Sequence, residues 1–133
     1  MSHRFVPAIV VALFHAACSS GIIPLAASPA APSAQGVVKT SEGTQGNLEI
    51  KLDITHLEAA EKVIPGATVY VVWATPKNGT PQNLGELTVG DDLTGHLKTM
   101  TPLRSFDLFI TAEEVRTASE PSGPPVLSAR VNR

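Results

Sequence analysis

Histidines and paired aspartates are the residues of this sequence that could bind a metal ion. His56 and His96 stand far apart, and neither has a Cys or a second His at ligand spacing. A zinc site needs about four ligands with short spacing between pairs. Asp91-Asp92, in "GDDLTG", lack the alternating oxygen ligands and the later Glu of a calcium loop, and are typical of a solvated hairpin turn. The sequence therefore predicts no metal site. It contains no phosphate-loop or dinucleotide-binding pattern, so no cofactor is predicted either.

Carboxylates and serines could in principle catalyse hydrolysis. Glu113 and Glu114 are adjacent on a predicted strand, so their side chains should point to opposite faces and make a poor acid/base pair. The serines lack a G-x-S-x-G setting, and no Ser/His/Asp order is persuasive. The sequence therefore predicts a protein that is not an enzyme. A hydrolase that uses an unrecognised pair among Asp91, Asp92, Glu113 and Glu114 is the alternative.

Length and composition restrict the classes of protein that remain. The chain has 133 residues, enough for one domain. Its 10 Lys+Arg against 12 Asp+Glu leave no basic surface for nucleic acid. Hydrophobic residues make up 43% of the chain and aromatic residues only 5%, which indicates a small core filled by Val, Leu, Ile and Ala.

The N-terminus has the order of a secretory signal peptide. "MSHR" is cationic, "FVPAIVVALF" is apolar, and small residues follow in "HAACSSG". The apolar run is shorter than the roughly 20 residues that a membrane-spanning helix needs. We therefore predict a signal peptide at residues 1–17 and an exported protein of the cell envelope, on the periplasmic side or the outer membrane, or a secreted one.

Cys18 is the only cysteine and follows Ala16-Ala17, which resembles the lipobox of bacterial lipoproteins. The resemblance implies lipidation of Cys18 and a membrane anchor. His15 occupies the position that is usually Leu, and the alternative is an ordinary signal peptide cut between Ala17 and Ala34. Residues 18–35 are rich in Ala, Ser and Pro and predict a flexible tether, followed by a folded domain at residues 36–133.

Residues beyond Gly36 show the pattern of short strands. Leu48, Ile50, Leu52 and Ile54 in "NLEIKLDITHL" alternate with polar residues, which indicates a strand with one face inward. The run at 69–74, "VYVVWA", is apolar on both faces and predicts a central strand. The fold class predicted is all-β: a small antiparallel β-sandwich of six or seven strands, immunoglobulin-like in general architecture.

A turn and a bulge determine how the central strand pairs with the strand that follows it. Asn78-Gly79 favours the positive φ angles of a tight hairpin. Leu84 and Leu87 are three residues apart, so strict alternation fails between them. Gly85 lies where a bulge would restore the phase and let Leu87 and Val89 face the same way.

The stretches "YVVWATPKNGTPQNLGELTV" and "FDLFITAEEVRTASEPSGPPVLSARV" together resemble the extracytoplasmic domain of the anti-sigma-K factor family. The match covers residues 68–131. The resemblance implies an envelope-side β-sandwich. Only 17 residues precede Cys18, too few for that family's cytoplasmic domain and membrane helix, so it implies the sandwich module alone and not control of a sigma factor. The positions that carry the resemblance are Trp73, Gly79, Leu84-Gly85, 106–113 and 121–131.

Binding is predicted through loops, most of all "TPKNGTPQ" at 75–82 and "ASEPSGPP" at 118–125. The expected function is that of a non-enzymatic envelope module whose partner is another envelope protein or component; the oligomeric state is left open. The alternative is a carrier of small apolar ligands with a pocket around Trp73 and Tyr70, although Trp73 would more simply be core. The candidate binding residues are Trp73, Lys77, Asn78, Gln82, Glu120 and Ser122.

Overall fold

The computed structural model describes residues 21–133, so the predicted signal peptide and Cys18 lie outside the described residues. The fold is all-β and antiparallel throughout. A short helix, α1, spans Ala60–Val63, and a 3-10 turn spans Thr44–Gly46. The strands of the described residues are β1 Gly21–Pro24, β2 Ala26–Ala27, β3 Gln35–Glu42, β4 Leu48–Thr55, β5 Val69–Pro76, β6 Gln82–Val89, β7 Gly95–Thr101, β8 Ser105–Glu113 and β9 Leu127–Asn132.

The strands form one nearly closed sheet in the order β1-β3-β4-β7-β6-β5-β8-β9-β2. β1 and β2, the two ends of this order, are separated in sequence only by Leu25. The order therefore almost returns to its own start. The sequence predicts six or seven strands in two sheets; the structure has nine strands in its described part, because β1 and β2 come from a segment not expected to fold.

Residues 21–24 and 26–27 form strands of this sheet, and the prediction of a flexible tether is wrong for them. β1 pairs with β3, with Ile23 opposite Val38, and β2 pairs with β9. Leu25 is buried and its N–H donates to the Gly36 carbonyl oxygen at 2.9 Å. A low-charge Ala/Pro/Ser segment has little apolar surface of its own, but here the edges of β3 and β9 supply the hydrogen-bond partners that its composition does not reveal.

The alternating pattern of β4 is confirmed. Leu48, Ile50, Leu52 and Ile54 are each 1% exposed or less, whereas Lys51 between them is exposed. Burying a side chain of this size contributes about 1.5–3 kcal/mol relative to its exposed state. β4 is therefore a central strand, paired with β3 on one side and β7 on the other.

The central strand predicted at 69–74 is also confirmed as β5. Its residues from Tyr70 to Ala74 are buried, and β6 and β8 pair with it on either side. The register between β5 and β6 shifts at Val72/Trp73, opposite Gly85, which has a φ of +131°. This is the bulge that the spacing of Leu84 and Leu87 predicts. A turn at this position is confirmed with Asn78 at a φ of +60°, but Gly79 does not have a positive φ and the connection from β5 to β6 spans residues 77–81, longer than a tight two-residue hairpin.

Candidate binding surface

The two faces of β5 pack against different parts of the molecule. Tyr70, Val72 and Ala74 belong to the main hydrophobic core. Val71 and Trp73 alternate with them and so point to the opposite face, yet both are 0% exposed. This second face needs a cover of its own, since a sheet face left bare would expose the indole to water.

The cover is the loop at residues 114–125, which we name the cap. Asn83 lies opposite Trp73 in the β5–β6 ladder and therefore on the same face. Its Nδ2 donates to the carbonyl oxygens of Arg116 and Ala118, at 3.0 Å each. The Asn83 carboxamide oxygen accepts from the Gly85 N–H at 2.9 Å, which fixes the side chain beside the bulge. Asn83 thus holds the first half of the cap against the sheet.

The second half of the cap is held by a chain of polar groups, which we name the Glu113 cluster: the buried Trp73, Thr111 and Glu113, and the exposed Ser122. The Trp73 indole N–H donates to Thr111 Oγ1 at 2.8 Å, and that hydroxyl donates to Glu113 Oε2 at 2.5 Å. Ser122 donates to the same carboxylate through its backbone N–H at 3.0 Å and its hydroxyl at 2.6 Å. One carboxylate thereby ties the strand to the cap.

Glu113 is 3% exposed, and its protonation state follows from these contacts. Burial acts to raise the pKa of Glu113, but the hydrogen bonds from Ser122 and Thr111 together hold it below its ordinary value. An ionised carboxylate is an acceptor only, and here it accepts every donor that surrounds it. The Glu113 cluster therefore stabilises the ionised form of the Glu113 carboxylate.

The outward surface of the cap is mixed in character. Val115 is 55% exposed and is one of three large hydrophobic side chains exposed in the described residues. Glu114 and Arg116 flank it, and both are exposed, as is Glu120. An apolar side chain ringed by charges on an ordered loop has the general composition of a small protein-binding patch.

The predicted binding residues fall into two groups. Trp73 is buried beneath the cap, and Ser122 is engaged by Glu113. Ser122 remains exposed all the same, as are the other four. These are Lys77 and Asn78 in the β5–β6 turn, Gln82 at the start of β6, and Glu120 in the cap.

Asn83, the residue that follows the first of the two loops predicted to bind, donates to the Ala118 carbonyl oxygen at the start of the second. Sequence reasoning missed Asn83, Thr111 and Glu113 as the residues that organise this region. Thr111 and Glu113 are two apart on a strand and so share a face, which was the available signal. Nothing in the local pattern indicated that a buried Trp lay on the same face.

Tyr70, the other residue of the predicted ligand pocket, is also closed off. It is 1% exposed, and its hydroxyl donates to the Glu58 carbonyl oxygen at 2.7 Å. Burial raises the pKa of Tyr70, and the nearby carboxylates Glu58 and Glu61 raise it further. The phenol therefore stays neutral and serves to fix the connection between β4 and α1.

Another set of polar contacts lies at Asp53 on β4. His96 Nδ1 lies 2.7 Å from Asp53 Oδ1, and Lys39 Nζ lies 3.3 Å from Asp53 Oδ2. The hydrogen bond from His96 is the main reason that the pKa of Asp53 is lowered. All three side chains are well exposed, so this is a surface ion pair of small energy. Within residues 21–133, no three His, Cys, Asp or Glu side chains cluster closely enough to hold a metal ion.

A scan against protein-family models and a search of curated proteins found no match to this chain. The resemblance to the anti-sigma-K factor domain therefore stays a prediction from the residues. Among the described residues, no helix has the length and apolar character needed to span a membrane.

Proposed function

We propose that this protein is a non-enzymatic, exported envelope module that binds another envelope protein or component through the cap. The observation that carries this proposal is the double attachment of the cap, by Asn83 and by Glu113, which leaves Val115 exposed on an ordered loop. A binding loop that is ordered before association avoids part of the entropy cost of complex formation.

The proposed architecture is a β-sandwich, immunoglobulin-like in general form. Support comes from the junction between β6 and β7, which pair only at Thr88 and Val89. Beyond this junction the strands divide into one group around β4 and another around β5, each with a buried inner face. The sequence resemblance to the anti-sigma-K factor domain fits the same proposal.

Anchoring through Cys18 would give the module a definite orientation. β1 begins at Gly21, and the three residues from Cys18 to Gly21 can span at most about 10 Å. Strand directions put Gly21 towards the same end of the sheet as the turn that contains Lys77 and Asn78. In a lipidated protein that turn would lie close to the membrane, and the cap would be the surface left for a partner.

A carrier of small apolar ligands near Trp73 is the second candidate function. It would require the cap to open, because Trp73 is fully buried and its N–H is bonded to Thr111. Quenching or a spectral shift of Trp73 fluorescence by a ligand is the observation that would favour it.

Site-specific photocrosslinking tests the leading proposal. A crosslinker at Val115 should capture the same partner repeatedly from intact envelopes, whereas a crosslinker at Lys98, an exposed side chain on β7, should not. Equal capture from both positions would overturn the assignment to the cap. Mass spectrometry of the mature N-terminus in the same sample tests the anchor, since a lipidated Cys18 has a diagnostic mass.

A further inference from the structure

A second concave surface lies away from the cap. Its walls are the segment at residues 30–33 after β2, the connection at residues 56–63 that contains α1, and the turn from β6 to β7 at Leu93. It is a pocket of about 270 Å³. Its apolar lining includes Ala31, Val63 and Leu93, and its polar lining includes His56, Glu58 and Lys62. An apolar floor with a few polar groups at one side is the usual composition of a small-molecule site.

Backbone hydrogen bonds hold the walls of this pocket in place. The Leu57 N–H donates to the Leu93 carbonyl oxygen at 3.0 Å, and Leu57 itself is 0% exposed. The Glu58 carbonyl oxygen accepts from the buried Tyr70 hydroxyl, and Ala34 donates to the Ala31 carbonyl oxygen at 3.1 Å. The bonds of Leu57 and Tyr70 therefore link the wall around α1 to Leu93 and to the core, and the bond from Ala34 to Ala31 sets the turn that forms the remaining wall.

Two of the lining residues have unusual backbone conformations. His56 has a φ of +56° and Leu93 a φ of +62°, the left-handed region that glycine or asparagine normally occupies. A non-glycine residue is strained in this conformation, because its Cβ lies too close to the following carbonyl oxygen. Strain of this kind persists where the surrounding structure enforces it, and it occurs often at ligand sites.

The charges of the pocket indicate which end group it would accept. His56 and Lys62 can donate hydrogen bonds, and Lys62 Nζ lies 3.8 Å from Glu58 Oε2, a weak and exposed pairing. A ligand carboxylate could replace Glu58 as the partner of Lys62 while its apolar part covers Ala31, Val63 and Leu93. We propose that this pocket binds a small amphipathic carboxylate, independently of partner binding at the cap.

The test uses three probes with the same six-carbon chain: hexanoate, hexanol and hexylammonium. Titration is followed through the methyl resonances of Val63 and Leu93 in the purified protein. We expect saturable shifts with hexanoate below about 10 mM, and weaker binding of the other two probes. Failure of hexanoate to saturate, or equal binding of hexanol, would overturn the proposal.

Two substitutions of opposite expected sign give the sharper test. Lys62→Gln should weaken hexanoate binding by about two- to fivefold, and Glu58→Gln should strengthen it by a similar factor, because it releases Lys62. Both side chains are more than half exposed, at 68% and 52%, so neither change should unfold the protein. Lys77→Gln, outside the pocket, is the control and should leave binding unchanged. Effects of the same sign for the two test variants would contradict the proposed geometry.

Discussion

Asn83 and Trp73 lie opposite each other in the β5–β6 ladder, and the amide of Asn83 holds the loop that covers the indole of Trp73. The pairing matters because β5 carries apolar residues on both faces. A central strand of this kind needs two covers, and only one of them is the main core. The second is a proline-containing loop that is held by hydrogen bonds from Asn83 and to Glu113.

Asn83→Ala should therefore loosen the cap. The variant loses the hydrogen bonds to Arg116 and Ala118 and leaves those carbonyl oxygens to water, so we expect a loss of about 1–2 kcal/mol in the free energy of unfolding. Trp73 emission should shift to the red as water reaches the indole. Urea unfolding and fluorescence spectra measure the two effects. Gln82→Ala, at the exposed neighbouring position, is the control; equal losses from both variants would count against the role of Asn83.

Glu113→Gln should destabilise the protein more than Glu114→Gln. The glutamine amide places donors where the carboxylate accepts from Thr111 and Ser122, so at least one of these charge-assisted hydrogen bonds is lost. We expect a loss of about 2–3 kcal/mol for position 113, and less than about 0.5 kcal/mol for the exposed position 114. Thermal or urea unfolding of the two variants side by side measures this difference. Similar stabilities would show that the charge of Glu113 is not needed.

Acid should weaken the attachment of the cap. The pKa of Glu113 is lower in the folded protein than its ordinary value of 4.5, so the folded state favours the ionised form. The stabilisation is complete at pH values above the ordinary pKa and is lost as the pH falls through the lowered one. Below about pH 4.5, the stability of the wild-type protein should approach that of Glu113→Gln. A gap between the two proteins that stays constant from pH 7 to pH 3 would contradict this linkage.

The segment before β3 should behave as part of the fold. Leu25→Ala should cost about 2–4 kcal/mol, because Leu25 is buried and lies against Gly36 and Ile54. Ile22→Ala, a change to a side chain that is 65% exposed, should cost less than about 0.5 kcal/mol. Urea midpoints give the comparison. A neutral Leu25→Ala would restore the interpretation of residues 21–35 as a tether.

Local patterns in the sequence were sufficient for the central strands. The alternation of β4 and the doubly apolar run of β5 depend on burial that repeats every two residues, and each strand carries that signal in itself. The turn at Asn78 and the bulge at Gly85 could be predicted for a similar reason, since these residue types favour the backbone angles that a turn and a bulge require.

The rest of the fold depends on partners distant in sequence. β2 consists of two alanines, and its pairing exists because β9, about a hundred residues later, presents a free edge. Leu93 holds a left-handed conformation that its residue type disfavours, so no local rule predicts it. The cap could be recognised as a loop, but its attachment required knowledge that Asn83, Thr111 and Trp73 share one face.

The one-residue joint at Leu25 affects the time course of folding. Ala27 pairs with Leu127, a residue that follows it by a hundred positions in the chain. Until β9 has formed, β2 has no strand to pair with, and the order of strands stays open at that point. Such long-range closure is slow relative to local hairpin formation. We therefore expect the contact between β2 and β9 to form late in folding, after the hairpins between neighbouring strands, so that the last pairing to form is the one that joins the two ends of the strand order.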